Sequence, residues 1–160
     1  MRPSRSTVLA LLLLVGGAAV AQSADVPPTD EAALLKWLQA GRYKGWAKES
    51  AAHPSQGPHP VKVVAHLNPA LVRSLTAKAA AHPKGSAAVK ELLDADGKPA
   101  GWAVSVKTDA DSAGGKGWYW YEILGTTAAG RVVAKANGVP LCFGCHTPGR
   151  DFVLIPFPLK

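Results

Sequence analysis

The chain has 160 residues, with 18 lysines and arginines against 11 aspartates and glutamates, and a formal net charge of +7. A chain of this length can form one domain with a real hydrophobic core. No run of lysine and arginine resembles a nucleic-acid footprint, so we expect no nucleic-acid partner.

Residues 1–24 have the features of a secretory signal peptide. Arg2 and Arg5 form a basic start, residues 8–15 form an apolar run, and small residues follow. The apolar run is short for a bilayer span, although an uncleaved membrane anchor remains the alternative interpretation. Cleavage near residues 21–24 predicts a mature, periplasmic chain.

Residues 25–160 are predicted to be a single domain with no membrane attachment after cleavage. Loss of the two arginines of the signal lowers the formal net charge from +7 to +5. This basic balance favours solubility, and it would also suit an acidic redox partner.

In the first half of the mature chain, the sequence predicts two helices, with a loop and a short strand between them. A helix is expected over residues 29–41, where the Thr29 hydroxyl is the expected cap and the acidic Asp30 and Glu31 precede a leucine-rich face. A loop rich in proline and glycine covers residues 49–60, and a short strand is expected over residues 61–65. A second helix is expected over residues 68–82, because Asn68 is a strong N-cap and is followed by proline.

The second half favours strands. Residues 87–93 are ambiguous, because their lysine, glutamate and leucine content also suits a helix. The other predicted segments are a turn at 94–97, a half-buried strand at 102–107, a glycine-rich loop at 109–116, an aromatic strand at 117–123, an extended or helical piece at 132–135, and a closing strand at 151–155.

The segment between residues 142 and 146 carries the strongest chemical signal. Cys142 and Cys145 are the only cysteines, and His146 follows the second directly. This Cys-x-x-Cys-His pattern is typical of c-type haem attachment. Two thiols on one helical turn can add to two vinyl groups of a porphyrin, and the adjacent imidazole can bind the iron. The pattern predicts one covalent haem c, with His146 as its proximal ligand.

Two other chemistries use the same residue types. A redox disulfide usually opens the first long helix of a βαβ unit, whereas few residues follow Cys145. A zinc site would need further ligands, and the spacing of His53 and His59 does not suggest them. Haem attachment is therefore the favoured interpretation.

The second axial position of the iron is open to several interpretations. Met1 is the only methionine and is lost with the signal, so His/Met ligation is excluded. The iron is then bis-histidine, bound by another group such as lysine, or open. The histidines apart from His146 are expected at the surface or in loops; they are His53, His59, His66 and His82.

The order of elements argues against two familiar haem folds. A small helical cytochrome c carries its motif near the start of the chain. A four-helix cytochrome c′ carries it near the end, but has no strands, whereas several strand-like runs precede Cys142 here.

Five segments follow one another in a characteristic order, namely Val89-Lys90-Glu91-Leu92, Ala103-Val104-Ser105-Val106-Lys107, Gly117-Trp118-Tyr119-Trp120-Tyr121, the Cys-x-x-Cys-His motif, and Asp151-Phe152-Val153. Through the order of these segments, residues 34–158 resemble the cytochrome P-460 family, which includes the relatives called cytochrome c′-beta.

The resemblance implies an α+β fold with a predominantly antiparallel β-sheet, a few helices and often a homodimer. It implies an open distal site and a protein that oxidises hydroxylamine, with or without nitric oxide. In P-460 members a lysine at the position of Lys90 is bonded to the porphyrin edge. The c′-beta relatives lack that cross-link and bind nitric oxide or other gases without turnover. A plain electron carrier to a periplasmic redox partner is the third possibility.

Without the resemblance, ordinary roles are expected for the residues near these segments. A lysine such as Lys90 in a strand is usually solvated. Glu91 is expected to pair with a surface lysine, although a role as a pocket acid is the alternative. The aromatic run over residues 118–121 is expected to be mostly core, with one face of the strand inward.

Overall fold

The computed structural model describes residues 26–55, 57–59 and 62–160, and the predicted signal peptide lies outside these residues. They form an α+β domain built on one antiparallel sheet, as predicted. The helices are α1 (Glu31–Gln39), α2 (Pro69–Thr76) and α3 (Pro140–His146). The strands are β1 (Ala47–Lys48), β2 (His53–Pro54), β3 (Lys62–Leu67), β4 (Ala87–Leu93), β5 (Pro99–Lys107), β6 (Trp118–Leu124) and β7 (Arg131–Asn137).

The strands follow the order β1-β3-β4-β5-β6-β7, and β2 also pairs with β3. The register aligns Ala65 of β3 with Lys90 of β4, and Lys90 with Ala103 of β5. Ala103 in turn lies opposite Glu122 of β6. Residues directly opposite one another share one face of a sheet. Lys90 and Glu122 therefore lie on the same face of the sheet, and the side chain between them is the methyl group of Ala103.

Both faces of the sheet are covered. On one face α1 packs Leu34 and Leu38 against alternate residues of β4, β5 and β6, including Trp102 and Tyr121. On the other face α2 contributes Leu71 and Leu75, and α3 and the C-terminal residues pack nearby. The expectation that the aromatic strand turns only one face inward is wrong, because Trp118, Tyr119, Trp120 and Tyr121 are all buried.

Helix α2 begins at the predicted cap, Asn68, but the cap of α1 is Asp30 and not the predicted Thr29 hydroxyl. The Asp30 carboxylate accepts a hydrogen bond from the N–H of Ala33 at 2.9 Å, and the Asn68 side chain accepts one from Leu71 at 3.0 Å. Helix α2 ends at Thr76, not near His82. Just beyond the helix, Lys78 adopts a φ of 53°, which breaks the helical path.

Two further predictions need correction. Residues 151–155 do not form a strand: only an isolated bridge joins Arg150 and Val153, and Asp151 and Phe152 have positive φ angles of 47° and 67°. The residues between them make a tight turn. The predicted loop at 49–60 contains the short strand β2, whose His53 pairs with Val63.

The remaining predicted strands agree with the structure. Residues 87–93 form β4, the residues expected to be half-buried lie in β5, and the weaker piece at 132–135 lies within β7. None of the helices in the described part of the chain is long and apolar enough to cross a membrane.

Candidate functional site

A cavity of about 580 Å³ lies on the face of the sheet that carries α3. Its volume is within the range of small-molecule and cofactor sites. The four residues singled out from the sequence all line it; they are Lys90, Cys142, Cys145 and His146. The fold thus brings together a strand residue and a helical motif that are some fifty positions apart in the chain.

Helix α3 presents the motif to the cavity. Pro140 lies at its start, where a missing N–H is tolerated, and the helix continues to His146. Residues three and four positions apart share one helix face, so Cys142, Cys145 and His146 point the same way. Cys142 is half-buried and Cys145 is exposed, and both are free thiols. Burial, with a smaller contribution from nearby Glu122, raises the pKa of Cys142 to about 11.

His146 is oriented by the backbone. Its Nδ1 lies 2.9 Å from the carbonyl oxygen of Phe152. A carbonyl can only accept, so Nδ1 carries the proton and Nε2 keeps its lone pair. Burial lowers the pKa of His146, and this favours the neutral form that binds metals. The Trp120 ring packs 4.7 Å from the imidazole, centroid to centroid, at 61°.

The sheet provides a floor of small side chains. Ala65, Ala88, Ala103 and Ser105 line the cavity from three adjacent strands. Larger side chains at these positions would fill the space beneath α3. Trp120 also lines the cavity, and its indole Nε1 is buried without a hydrogen-bond partner in the described part of the chain. That donor is available to a polar group bound in the cavity.

Lys90 is a half-buried amine at this floor. Burial lowers its pKa, although Glu49 and Glu122 favour its charged form. Among the described residues, no side chain or carbonyl forms a hydrogen bond or ion pair with Lys90 Nζ. The ordinary expectation of a solvated strand lysine is therefore wrong here, since the side chain turns into the cavity.

Two histidine–carboxylate pairs complete the polar wall. Glu49 Oε2 lies 3.1 Å from His53 Nε2 and accepts the N–H of Ala65 at 2.7 Å. Glu122 Oε1 lies 3.3 Å from His59 Nδ1. Neither glutamate was expected at the site from the sequence. Alternation along β6 places Glu122 on the face of Trp120, so strand periodicity could have indicated it, but no local pattern marks Glu49.

The other two histidines are both buried. His66 lies in β3 and corrects the expectation of a surface or loop position, whereas His82 lies in the loop after α2, as that expectation allowed. His66 and His82 are 3% and 1% exposed. His66 lies on the opposite face, where its ring packs edge-on against Tyr43. Glu91 is there too: it accepts a hydrogen bond from the Tyr43 hydroxyl at 2.6 Å and lies 3.6 Å from His66 Nε2, and no lysine of the described residues forms an ion pair with it. Its pKa is held below the ordinary value by His66, despite burial.

Among the described residues, no group of three or more histidines, cysteines or acids is arranged to hold a bare metal ion. No model of a known protein family matches the chain, and no curated protein matches it in sequence.

Proposed function

We propose that the mature chain is a periplasmic mono-haem c-type protein that oxidises hydroxylamine, with or without nitric oxide, at an open haem iron. Cys142 and Cys145 would carry the thioether bonds and His146 would bind the iron. The resemblance to the cytochrome P-460 family, in the order of the segments given above, motivates the substrate. One observation carries the cofactor: the motif's two thiols and its imidazole line a single cavity, with Nε2 of His146 left free for a metal.

The residues present fit a haem in three respects. The donor set is the one that covalent haem attachment uses, on one turn of α3. The second ring nitrogen of His146 is hydrogen-bonded to a carbonyl, as metal-binding histidines almost always are. The cavity has a floor of small residues on one side and an unpartnered indole donor, Trp120 Nε1, in its wall. When bound, haem supplies one-electron redox chemistry and coordination of small ligands.

The polar wall suits an oxidation that releases protons. Each electron removed from hydroxylamine is accompanied by one proton, and the electrons leave to a periplasmic redox partner. His59 with Glu122, and His53 with Glu49, are acid–base groups at the cavity that can accept those protons. Lys90 lies at the floor of the same cavity. Because burial lowers its pKa, its amine loses a proton more readily than the amine of a surface lysine.

A second candidate function rests on His59. This residue lines the same cavity as His146, and a histidine on both sides of the iron would close the sixth position. The protein would then carry electrons without binding a substrate. The first proposal includes the homodimer that the resemblance implies. Sedimentation of the purified protein measures its mass in solution and so tests for the dimer.

The experiment is to produce the full chain in a host with c-type haem maturation and to record spectra in both oxidation states. We expect haem that survives denaturing electrophoresis, a five-coordinate high-spin ferrous spectrum, and a spectral change on adding nitric oxide. Hydroxylamine should be consumed with an artificial electron acceptor. Cys142→Ala combined with Cys145→Ala should abolish haem retention, unless Lys90 alone holds it.

Three other outcomes would contradict this proposal or favour a different function. A chain that acquires no haem contradicts the proposal. A six-coordinate ferrous spectrum that ignores nitric oxide, and becomes five-coordinate in His59→Ala, favours the electron carrier. Nitric oxide binding without hydroxylamine turnover favours a gas-binding protein of the c′-beta kind.

A further inference from the structure

The turn after α3 has an unusual backbone. Asp151 and Phe152 are consecutive non-glycine residues with φ angles of 47° and 67°. Side chains with a β-carbon rarely occupy this left-handed region, and such positions persist only where surrounding contacts hold them. The carbonyl of Phe152 accepts the hydrogen bond from His146 Nδ1 at 2.9 Å. The direction of that carbonyl therefore depends on what holds the turn.

The carboxylate of Asp151 is the anchor of this turn. Lys107 Nζ lies 2.5 Å from its Oδ2, and the two side chains are 0% and 4% exposed. The Ser112 hydroxyl donates to Oδ1, and the backbone N–H of His82 donates to Oδ2 at 2.6 Å. These partners come from β5, from the loop after β5 and from the segment after α2. The turn is thus tied to three separate parts of the chain.

His82 contacts the same turn at Arg150, the residue before Asp151. Its Nε2 lies 3.2 Å from the carbonyl oxygen of Arg150, and its Nδ1 lies 2.8 Å from Ser74 Oγ. The carbonyl can only accept, so Nε2 donates to it and Nδ1 accepts from the Ser74 hydroxyl. The ring is 1% exposed and packs edge-on against Trp118. Arg150 and Asp151 are therefore both fixed immediately before Phe152.

We propose that the buried Lys107–Asp151 pair positions the Phe152 carbonyl and so sets the orientation and donor strength of His146. Asp151 is a positioning residue, because it acts through Phe152 and touches neither substrate nor iron. The inference deepens the proposed function and rests on it. A hydrogen bond at the outer ring nitrogen fixes the tautomer of a metal-bound histidine and raises its basicity. A more basic axial ligand favours ferric over ferrous iron, so the pair tunes the reduction potential.

The test compares wild-type holoprotein with Asp151→Asn, using Asp109→Asn as the matched control. Asp109 is exposed in the loop after β5, and from the residues that the structure describes its carboxylate accepts only a local hydrogen bond, donated by the N–H of Asp111 at 3.1 Å. Resonance Raman spectroscopy of the ferrous protein reports the iron–histidine stretching frequency, and a redox titration reports the midpoint potential. Neither readout moves with a purely structural loss of stability.

For Asp151→Asn we expect a lower stretching frequency and a higher potential. A tenfold weakening of the ferric preference corresponds to a rise of about 59 mV in a one-electron couple. Asp109→Asn should match the wild type in both measurements. An Asp151→Asn holoprotein that is folded and also matches the wild type would overturn the inference.

A second variant and a second measurement test the inference if the first experiment cannot be carried out. If Asp151→Asn does not fold, Ser112→Ala removes the hydroxyl that donates to Asp151 and accepts from Lys107 Nζ, and it keeps the ion pair. This variant should shift both values in the same direction by less, and no shift would count against the inference. If the wild type acquires no haem, the proposed function fails separately. The tautomer of His146, measured by nitrogen-15 NMR in the full chain, then decides. It should be protonated at Nδ1 in the wild type and mixed in Asp151→Asn, and equal tautomer populations would overturn the inference.

Discussion

The ammonium group of Lys107 and the carboxylate of Asp151 form an ion pair of 2.5 Å that is almost completely removed from solvent. The two residues are 44 positions apart, one at the end of β5 and the other in the turn after α3. Burying two charges is costly, so the pair is stable only because additional hydrogen bonds satisfy the carboxylate. This relationship makes both stability and its pH dependence testable.

Lys107→Met should be strongly destabilising. The substitution leaves the Asp151 carboxylate buried without its cation, a change that costs about 3–5 kcal/mol in other proteins. Urea unfolding followed by circular dichroism measures the change in the free energy of unfolding. Lys135→Met is the matched control, because Lys135 pairs with Glu31 at the surface and is 58% exposed. That control should cost no more than about 1 kcal/mol. Equal effects of the two substitutions would contradict the assigned role of the buried pair.

Acid should remove the contribution of Asp151. Burial opposes its ionisation, but hydrogen bonds from Lys107 and Ser112 outweigh burial and hold its pKa below the ordinary 3.8. A carboxyl whose pKa is lowered on folding stabilises the protein fully above its unfolded-state pKa, and this stabilisation is lost as the pH falls through the folded-state pKa. The difference in unfolding free energy between the wild type and Asp151→Asn should therefore be constant near neutrality and shrink below about pH 3.8. Chemical unfolding across that range measures it.

The control for this pH profile is Asp109→Asn, which removes an exposed carboxylate from the same part of the fold. This variant measures the effect of removing a carboxylate that takes no part in the buried ion pair, and the Asp151→Asn profile is compared with it. A parallel profile for Asp151→Asn would mean that Asp151 is not stabilised in its charged form.

Whether the Lys90 amine is bonded to the porphyrin distinguishes the proposed enzyme from a gas-binding protein. A bond between Nζ and a porphyrin carbon releases two electrons and two protons, so an oxidant such as hydrogen peroxide must accept them. If the cross-link implied by the resemblance forms, trypsin should not cut after Lys90, and one haem should join that peptide to the peptide with both cysteines. Peptide mapping of the native holoprotein measures this. Hydroxylamine turnover should fall sharply in Lys90→Arg.

Lys135→Arg provides the comparison for that variant, because Lys135 lies on β7 at the surface and does not line the cavity. It should keep wild-type turnover. Normal cleavage after Lys90, together with no turnover in the wild type, would favour the gas-binding protein.

The network around Tyr43 should contribute to stability without affecting the cavity. The Tyr43 hydroxyl donates to Glu91 and accepts a hydrogen bond from Trp102 Nε1 at 2.9 Å. Tyr43→Phe leaves the indole N–H buried and unpaired, a loss of about 1–3 kcal/mol. Tyr121→Phe is a matched control, since the buried Tyr121 hydroxyl has no hydrogen-bond partner in the described part of the chain. It should be neutral or slightly stabilising.

Tyr43→Phe should keep the wild-type holoprotein spectrum, because the Tyr43 side chain belongs to the core on the α1 face of the sheet and does not line the cavity, whereas Tyr121 serves as a control for stability only. Thermal or urea unfolding and an absorption spectrum of each variant are sufficient. A changed spectrum in Tyr43→Phe would indicate that the two faces are coupled.

Local patterns in the sequence determined the parts of this protein that depend on neighbouring residues. The cap at Asn68 begins its helix as predicted, and the cap of α1 lies at Asp30, one residue after the predicted Thr29, because a capping side chain reaches only three residues ahead. The spacing of Cys142, Cys145 and His146 determines that they share a helix face. Alternation of large apolar residues with small or polar ones was enough to predict a strand within β5.

Only the tertiary structure decided which of these pieces meet. Alternation identifies the residues that share a face of a strand, but it does not say which helix covers that face. Strand register turns Lys90 and Glu122 towards the motif, and it turns Glu91 towards Tyr43. The turn at Asp151 was predicted as a strand because its residues suit one locally. The contacts with Lys107, Ser112 and His82 override that preference, and they are formed only when distant segments pack together.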